Sequence, residues 1–325
     1  MIVNVIFRYP EKNFKSIENV FETLIPFLPC SKITLNFPST GIISRYKNWQ
    51  AVNKLTESTI HITGFDHYLL LFTKKKKVIL TIHDIEALKR KSGIKRFVFK
   101  KLWFDIPIKN AAMVTTISEF SKQELLKLGD YDTPMQVISN PNIFKIEYDH
   151  VRVQNRDTPK ILLIGTKANK NLQRVLKALK NVRCELNIVG VLSEDHHRVL
   201  ASHKSVYLNH VNISKNELKD LYKTVDLLCF TSTYEGFGLP IIEAQSLGCP
   251  VVTSNCSSMP EVAGRGAYLV DPFSEDSIRK GVESMLENST LKSKFVSRGF
   301  ENAAKFEPEL IAKMYLDVYK KVHNG

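Results

Sequence analysis

FTSTYEGFGLPIIEAQSLGCPVVTSN, residues Phe230 to Asn255, holds two glycines around one phenylalanine, a proline, and an apolar stretch closed by Gly248. The run Asp226–Ser232 predicts a strand. Pro240 suits the first turn of a helix and Gly248 the left-handed residue after its end, so the segment reads as strand, loop, short helix, strand. The backbone N–H groups from Gly236 to about Ile242 are then the free donors of that helix's first turn, on the positive end of its dipole and outside the carboxyl edge of a parallel strand. A diphosphate fits there, and Gly236 and Gly238 let it approach the backbone.

Two carboxylates frame the loop, Glu235 before the turn and Glu243 in the first turn or so of the helix. Carboxylates repel phosphates but accept from hydroxyls, which suits a ribose diol and a second sugar. Taken singly, Glu243 reads as a charge capping the helix and Glu235 as a solvated loop residue. Both together, around Gly-Phe-Gly-Leu-Pro, favour the sugar reading.

Outward from this segment, β-branched runs recur with helical stretches between most of them. They are Lys160–Gly165, Glu185–Gly190, Ser205–Val211, Asp226–Ser232, Val251–Ser254 and Ala267–Val270 in the second half, and Ile2–Phe7, Ile33–Phe37, Thr59–Thr63, Val78–His83, Met113–Ser118 and Gln136–Ser139 in the first. Such alternation predicts two α/β units, each a doubly wound, mostly parallel sheet. The polar stretch Tyr148–Lys160 predicts a linker, which gives domains 1–150 and 151–307. Pro308–Val322 carries apolar residues near a 3.6 period and predicts an amphipathic helix.

The 325 residues, 43% hydrophobic and 24% charged, describe a packed protein rather than a disordered or fibrous one. No apolar run approaches the ~18 residues of a membrane span, and the first residues lack the pattern of a secretory leader, so a cytoplasmic protein is expected. Five scattered cysteines without a C-x-x-C pair read as reduced core residues. The net charge of +13 is concentrated in Lys74–Trp103, where eleven Lys or Arg face Asp84 and Glu86. One face therefore seeks an anionic partner.

Glu235-Gly236-Phe237-Gly238-Leu239-Pro240 with Glu243, then Gly248-x-Pro250-Val251-Val252 and Pro260-Glu261-Val262, resembles the nucleotide-sugar signature of the retaining family 4 glycosyltransferases, also described as glycosyl transferases group 1. His61-Ile62-Thr63-Gly64, Thr81-Ile82-His83-Asp84, Thr116-Ile117-Ser118-Glu119, Val137-Ile138-Ser139-Asn140, Gly165-Thr166 with Lys170-Asn171-Leu172, and Ile188-Val189-Gly190 follow that family's order. The resemblance implies the GT-B fold: two Rossmann-like doubly wound domains facing across a cleft, with a C-terminal helix, 308–325, crossing back onto the N-terminal acceptor domain. It implies a retaining, metal-independent hexosyltransferase without cofactor, using a UDP- or GDP-linked sugar as donor substrate. The acceptor would be a glycan or lipid-linked glycan of cell-surface polysaccharide or lipopolysaccharide synthesis. By resemblance the donor is held by Gly165, Thr166, Lys170, Glu235, Gly236, Phe237, Gly238, Leu239 and Glu243. His83 and Glu235 are the catalytic pair, with His83 and Asp84 on the acceptor side. Lys170 would be the fixed cation where charge develops on the leaving diphosphate. Read alone, Lys170 is one more solvated lysine, and His83 a histidine tying its own loop through Asp84.

The chain departs from the pattern twice. The first loop, Arg8 to Glu18, has no glycine, so Lys12, Lys15 or Ser16 stands in on the acceptor side. Thr166, with Lys167 beside it, replaces the usual arginine. These departures motivate a rival, an inactive nucleotide-sugar-binding or scaffold protein of the same fold.

Asp130-Tyr131-Asp132 spells a metal-binding D-x-D but lies in a turn-rich connection where Asp is favoured locally, so no metal is expected. In Ile94–Ile108 aromatic and aliphatic residues interleave with Lys95, Arg96, Lys100 and Lys101, as in an interfacial helix. That pattern makes residues 74–108 a candidate for peripheral contact with an anionic membrane surface at the inner face of the plasma membrane. A helix packed on the sheet with a solvated basic face accounts for the pattern equally well. Nucleic acid ranks below both, since no reading module for it is recognisable.

Overall fold

The computed structural model describes residues 2–10, 16–55, 59–73, 77–148, 157–203 and 205–324. Lys12, Lys15, the Ser16 side chain, Lys74 to Lys76 and most of the expected linker lie outside the described residues. The chain divides into two compact units, Met1–Ile143 with Pro308–Gly325, and Phe144–Glu307.

The first unit is a six-stranded parallel sheet of β1 (Val3–Phe7), β2 (Cys30–Thr34), β3 (Thr59–Ile62), β4 (Val78–Ile82), β5 (Met113–Thr116) and β6 (Met135–Val137), in the order β2-β1-β3-β4-β5-β6. The second holds β7 (Lys160–Ile164), β8 (Glu185–Val189), β9 (Val206–His210), β10 (Leu227–Phe230), β11 (Val251–Ser254) and β12 (Tyr268–Val270), also all parallel, in the order β12-β11-β10-β7-β8-β9. The second order is that of the dinucleotide-binding fold. Its reversal falls between β7 and β10, so the crevice outside their carboxyl ends is where a ligand belongs. In the first unit the reversal falls between β1 and β3.

Every expected strand is present, and one is displaced. β2 spans Cys30–Thr34 rather than Ile33–Phe37, in register from Val3 opposite Cys30. Leu35 still donates to Phe7 O, but the Phe37 N–H is taken by Asn48 Oδ1 and its carbonyl by Asn48 Nδ2, which turns the chain off the sheet edge. The second unit begins at Phe144, ahead of the expected 151. Phe144 lies edge-on to Tyr222, Glu147 N–H donates to Ser246 O, and the Glu147 carboxylate pairs with Lys219 and Lys223.

The C-terminal helix Pro308–Asn324 belongs to the first unit and buries Ile311, Ala312, Tyr315, Val318, Tyr319 and Val322. A buried polar chain fixes it to the sheet. His61 on β3 meets Tyr319 OH through Nδ1 at 2.8 Å and Thr81 Oγ1 through Nε2 at 2.7 Å, and Thr81 in turn meets Thr115 Oγ1 at 2.7 Å. Burial first, and His83 second, depress the His61 pKa to about 3, so the ring is neutral.

The basic segment divides. Phe99 packs against the core while Trp103, Phe104 and Ile108 are buried in it, whereas Ile94, Phe97, Val98 and Leu102 are exposed. One wide π turn, Lys101–Asp105, interrupts the helix Gly93–Lys100 and shifts the phase of the apolar stripe. Among the described residues no helix is long and apolar enough to cross a membrane. Cys184, Cys229 and Cys249 are buried, and Cys30 and Cys256 half-buried, all as free thiols.

Candidate active site

The site is built at the β7/β10 reversal. After β7 the chain passes Gly165 (φ +91°) and Thr166, makes one 3-10 turn, Ala168–Lys170, and enters helix Leu172–Ala178 through Asn171, a left-handed residue at φ 61°. Asn171 tolerates that conformation and spans the loops, its Nδ2 donating to Thr231 O and Pro272 O at 3.1 and 2.7 Å. Lys170 Nζ thereby reaches Glu235 Oε1 at 2.7 Å and lies 4.8 Å from the centre of the Phe230 ring. The two side chains, 65 residues apart in sequence, form an ion pair only 21% and 15% exposed.

Hydroxyls hold the Glu235 loop from below. Ser257 Oγ accepts from Glu235 N and donates to Glu235 O, Ser258 Oγ reaches Glu235 O and Phe237 O, and Ser254 Oγ donates to Ser232 O at 2.5 Å. Asn169 adds its Nδ2, donating to Tyr234 O at 3.0 Å and to Glu235 Oε1 at 3.4 Å. Reading the sequence missed Asn169 and these serines. Asn169 carried a signal, since it adjoins Lys170; the serines act through hydroxyl–backbone bonds that leave no spacing to read.

The helix after the loop spans Leu239–Ser246 from Gly238 (φ +107°), with Pro240 at its second position. It ends as expected: Gly248 N–H donates to Gln245 O and Cys249 N–H to Ala244 O, with Gly248 at φ 67°. The donor set at its start is narrower than the expected Gly236–Ile242. Pro240 has no N–H, Ile241 N–H is engaged by Gly238 O, and Gly236 and Ile242 make contacts of their own. Among the described residues no partner is seen for the amides of Phe237, Gly238 and Leu239. Phe237 itself is buried edge-on against Phe306.

Glu243 is the fifth residue of the helix, beyond the first turn, so it does not cap the end. It is buried, and its Oε2 accepts from Tyr222 OH at 2.8 Å. Burial lifts its pKa to about 7 against the pull of Tyr222, Lys215 and Lys170. Among the described residues no other side chain is seen donating to this carboxyl.

Thr166 is matched to Gly190 (φ +132°): a Cβ at Gly190 would stand 2.8 Å from Thr166 Cγ2. Gly165 is matched to Lys170 in the same way, since a Cβ there would stand 2.7 Å from Lys170 Cγ. Gly165→Ala is therefore expected to cost about 1–3 kcal/mol from backbone strain and the displaced lysine stem. Urea unfolding of the variant against the wild type reads that cost directly.

His83 follows β4 in the first unit. Its Nε2–H donates to Thr63 O at 2.7 Å, which leaves Nδ1 as the ring acceptor, and burial lowers its pKa. Asp84 does not tie it down: Asp84 Oδ1 accepts from Glu86 N at 2.8 Å instead. Around the same sheet edge Arg8 pairs with Glu18, and buried Asp66 accepts from Ser39. Glu18 and Asp66 were not singled out in the sequence; each is an isolated carboxylate with no motif around it. In the turn-rich connection around Asp130-Tyr131-Asp132, Tyr131 OH donates to Asp105 Oδ1 at 2.8 Å, which fastens it to a residue 26 positions earlier.

Residues 145–302, just under half of the chain, match the family described as glycosyl transferases group 1. The O-antigen chain mannosyltransferase B of Escherichia coli is 24% identical over 273 residues, covering 75% of this chain and 70% of that protein. The amylovoran biosynthesis glycosyltransferase AmsD of Erwinia amylovora is 26% identical over 253 residues, covering 75% and 62%. The chain thus spans roughly two thirds of the length of these relatives. In fold it is similar to HepE of Anabaena, solved in complex with UDP and glucose, with a TM-score of 0.78 at 15% identity over 99% of this chain and 100% of that one. Residues 145–302 are similar to the glycosyl transferases group 1 family, and the chain is a glycosyltransferase with the GT-B fold.

Proposed function

We propose that the protein transfers a hexosyl residue from a UDP- or GDP-linked donor to a glycan or lipid-linked glycan of a cell-surface polysaccharide or lipopolysaccharide, with retention at the anomeric carbon and without a metal ion. The observation that carries this reading is the Lys170–Glu235 pair, set at the sheet reversal beside the amides of Phe237, Gly238 and Leu239. Cleaving the donor leaves an extra negative charge on the diphosphate, and Lys170 with these amides is aimed at that charge in place of a metal. Glu235 accepts from hydroxyls of the transferred sugar, and Glu243 Oε1 from the ribose. His83, neutral and with Nδ1 as acceptor, receives a hydroxyl on the acceptor side. The names of the relatives favour a surface glycan as product, and the ligands of HepE favour a nucleoside diphosphate.

The test is turnover of UDP- and GDP-hexoses with glycan acceptors in EDTA, with the anomeric configuration of the product read by NMR. Transfer with retention is expected. Loss of turnover in EDTA contradicts metal independence, an inverted product contradicts retention, and nucleotide binding without turnover points to the scaffold reading.

A ribose diol donates to an ionised Glu243 better than to a protonated one, so nucleotide binding should expel a proton. With a free-protein pKa of about 7, the nucleotide Kd is expected to rise about tenfold per pH unit below neutrality and to flatten above pH 8. Calorimetry in buffers of different ionisation enthalpy checks this, and Glu243→Gln should abolish the dependence.

A further inference from the structure

We propose that Asn169 is a positioning residue for Glu235: its side-chain amide steadies the carboxylate that meets the transferred sugar. The inference rests on the roles given above to Lys170 and Glu235. The 3-10 turn Ala168–Lys170 presents two consecutive side chains to one oxygen, since Glu235 Oε1 accepts from Lys170 Nζ at 2.7 Å and from Asn169 Nδ2 at 3.4 Å. With a donor bound, the Lys170 ammonium shares its charge with the diphosphate, and its hold on Oε1 weakens. Among the described residues Asn169 is the other side chain donating to that carboxylate. Ser257 and Ser258 do not serve here, because they hold the backbone of Glu235 and leave its side chain alone. A carboxylate fixed in one rotamer meets the sugar hydroxyls without losing freedom at that moment.

Asn169 is itself firmly placed. Its carbonyl accepts from Thr233 N–H at 2.8 Å and from Thr233 Oγ1 at 3.3 Å, and Nδ2 also donates to Tyr234 O at 3.0 Å. One residue thus grips three successive positions, Thr233, Tyr234 and Glu235. Both partners of Nδ2 are acceptors, so the nitrogen must face them and Oδ1 must face away. There Oδ1 is buried and without a hydrogen-bond partner among the described residues. An amide held so that its own oxygen goes unsatisfied is held for what its nitrogen does. The residue type fits this duty: a neutral donor holds Glu235 without competing with Lys170 for the diphosphate, whereas an aspartate there would repel the carboxylate. Joining the two loops does not require the side chain to reach Glu235, since the Asn169 carbonyl already joins them.

The test sets a sugar nucleotide against the bare nucleotide, which makes an acceptor unnecessary. The full chain is titrated by calorimetry with UDP-glucose, GDP-mannose, UDP and GDP. Wild type, Asn169→Ala, Asn169→Asp, Glu235→Ala and the double variant Asn169→Ala/Glu235→Ala are compared. Asn169→Ala should raise the Kd of the sugar nucleotide about tenfold, the value of one hydrogen bond to a charged group, and leave that of the bare nucleotide within about twofold. Asn169→Asp, which keeps the shape of the side chain, should weaken the sugar nucleotide further. In the Glu235→Ala background, loss of Asn169 should add nothing. A purely structural role would weaken both ligands alike. The inference is overturned if Asn169→Ala binds the sugar nucleotide like the wild type, if both ligands weaken equally, or if its effect persists without Glu235. Should Glu235→Ala itself bind the sugar nucleotide like the wild type, or the wild type bind neither sugar nucleotide, the donor reading falls and the inference with it.

Discussion

Lys170→Ala is expected to lower kcat by about 10²–10³, the loss seen when one fixed group stabilising a developing oxyanion is removed. Lys170 is preorganised: its stem lies against Gly165, its ammonium over the Phe230 ring, and Glu235 fixes its end at 2.7 Å. A cation held this way requires little rearrangement when the glycosidic phosphate breaks. The bound donor already carries charge on its diphosphate, so part of the loss will appear in KM, but kcat should fall further because the charge grows as the bond breaks. Lys170→Arg should restore only part of the rate, since a planar fork does not fit the space over Gly165. A variant with raised KM and unchanged kcat would show that Lys170 only binds the ground state, and the proposed role would be lost.

Acidification should unfold the first unit before the second. His61 and His67 are buried and neutral, with pKa values pushed down to about 3 and about 4, chiefly by burial; His67 Nδ1 meets Trp103 O at 2.6 Å. His83 is lowered in the same sense. In the unfolded chain these rings protonate near 6.5, so the stability that the folded unit gains from keeping them neutral is complete above that pH and is lost as pH falls. At pH 4.5 His61 and His67 together remove on the order of several kcal/mol, comparable with a domain's entire stability. Asp66 and Asp84, raised by burial, work in the opposite sense and offset part of this loss. In the second unit Glu243, raised to about 7, also gains as pH falls, while His196 and His203 there are lowered and oppose it. Thermal unfolding at pH 7.5, 5.5 and 4.5, with proteolytic fragments assigned by mass spectrometry, separates the units. His61→Gln should be less stable than the wild type at pH 7.5 yet show a flatter pH slope. Parallel loss in both units, or an unchanged slope in the variant, would contradict the account.

Period and punctuation made the strands legible, and Gly248 even marked the closing motif of its helix. What strand patterns do not carry is strand order, because neighbours in a parallel sheet come from distant segments. The same limit hid the partners at the site: Tyr222 reaches Glu243 from another helix, and Asn171 ties together loops 60 and 101 residues away. Residues 94–108 show a related limit within one segment. Their composition was right for an interfacial helix, but the π turn at Lys101–Asp105 changes which apolar residues face inward.

On the proposed reading the second unit holds a nucleoside diphosphate between Lys170 and Glu243. Calorimetric titration of the full chain with UDP and GDP in EDTA at pH 8 decides it, for the wild type and Glu243→Ala. One nucleotide should bind the wild type, and the variant at least tenfold more weakly. Absence of binding by either nucleotide to the folded wild type, or equal affinity in the variant, would contradict it.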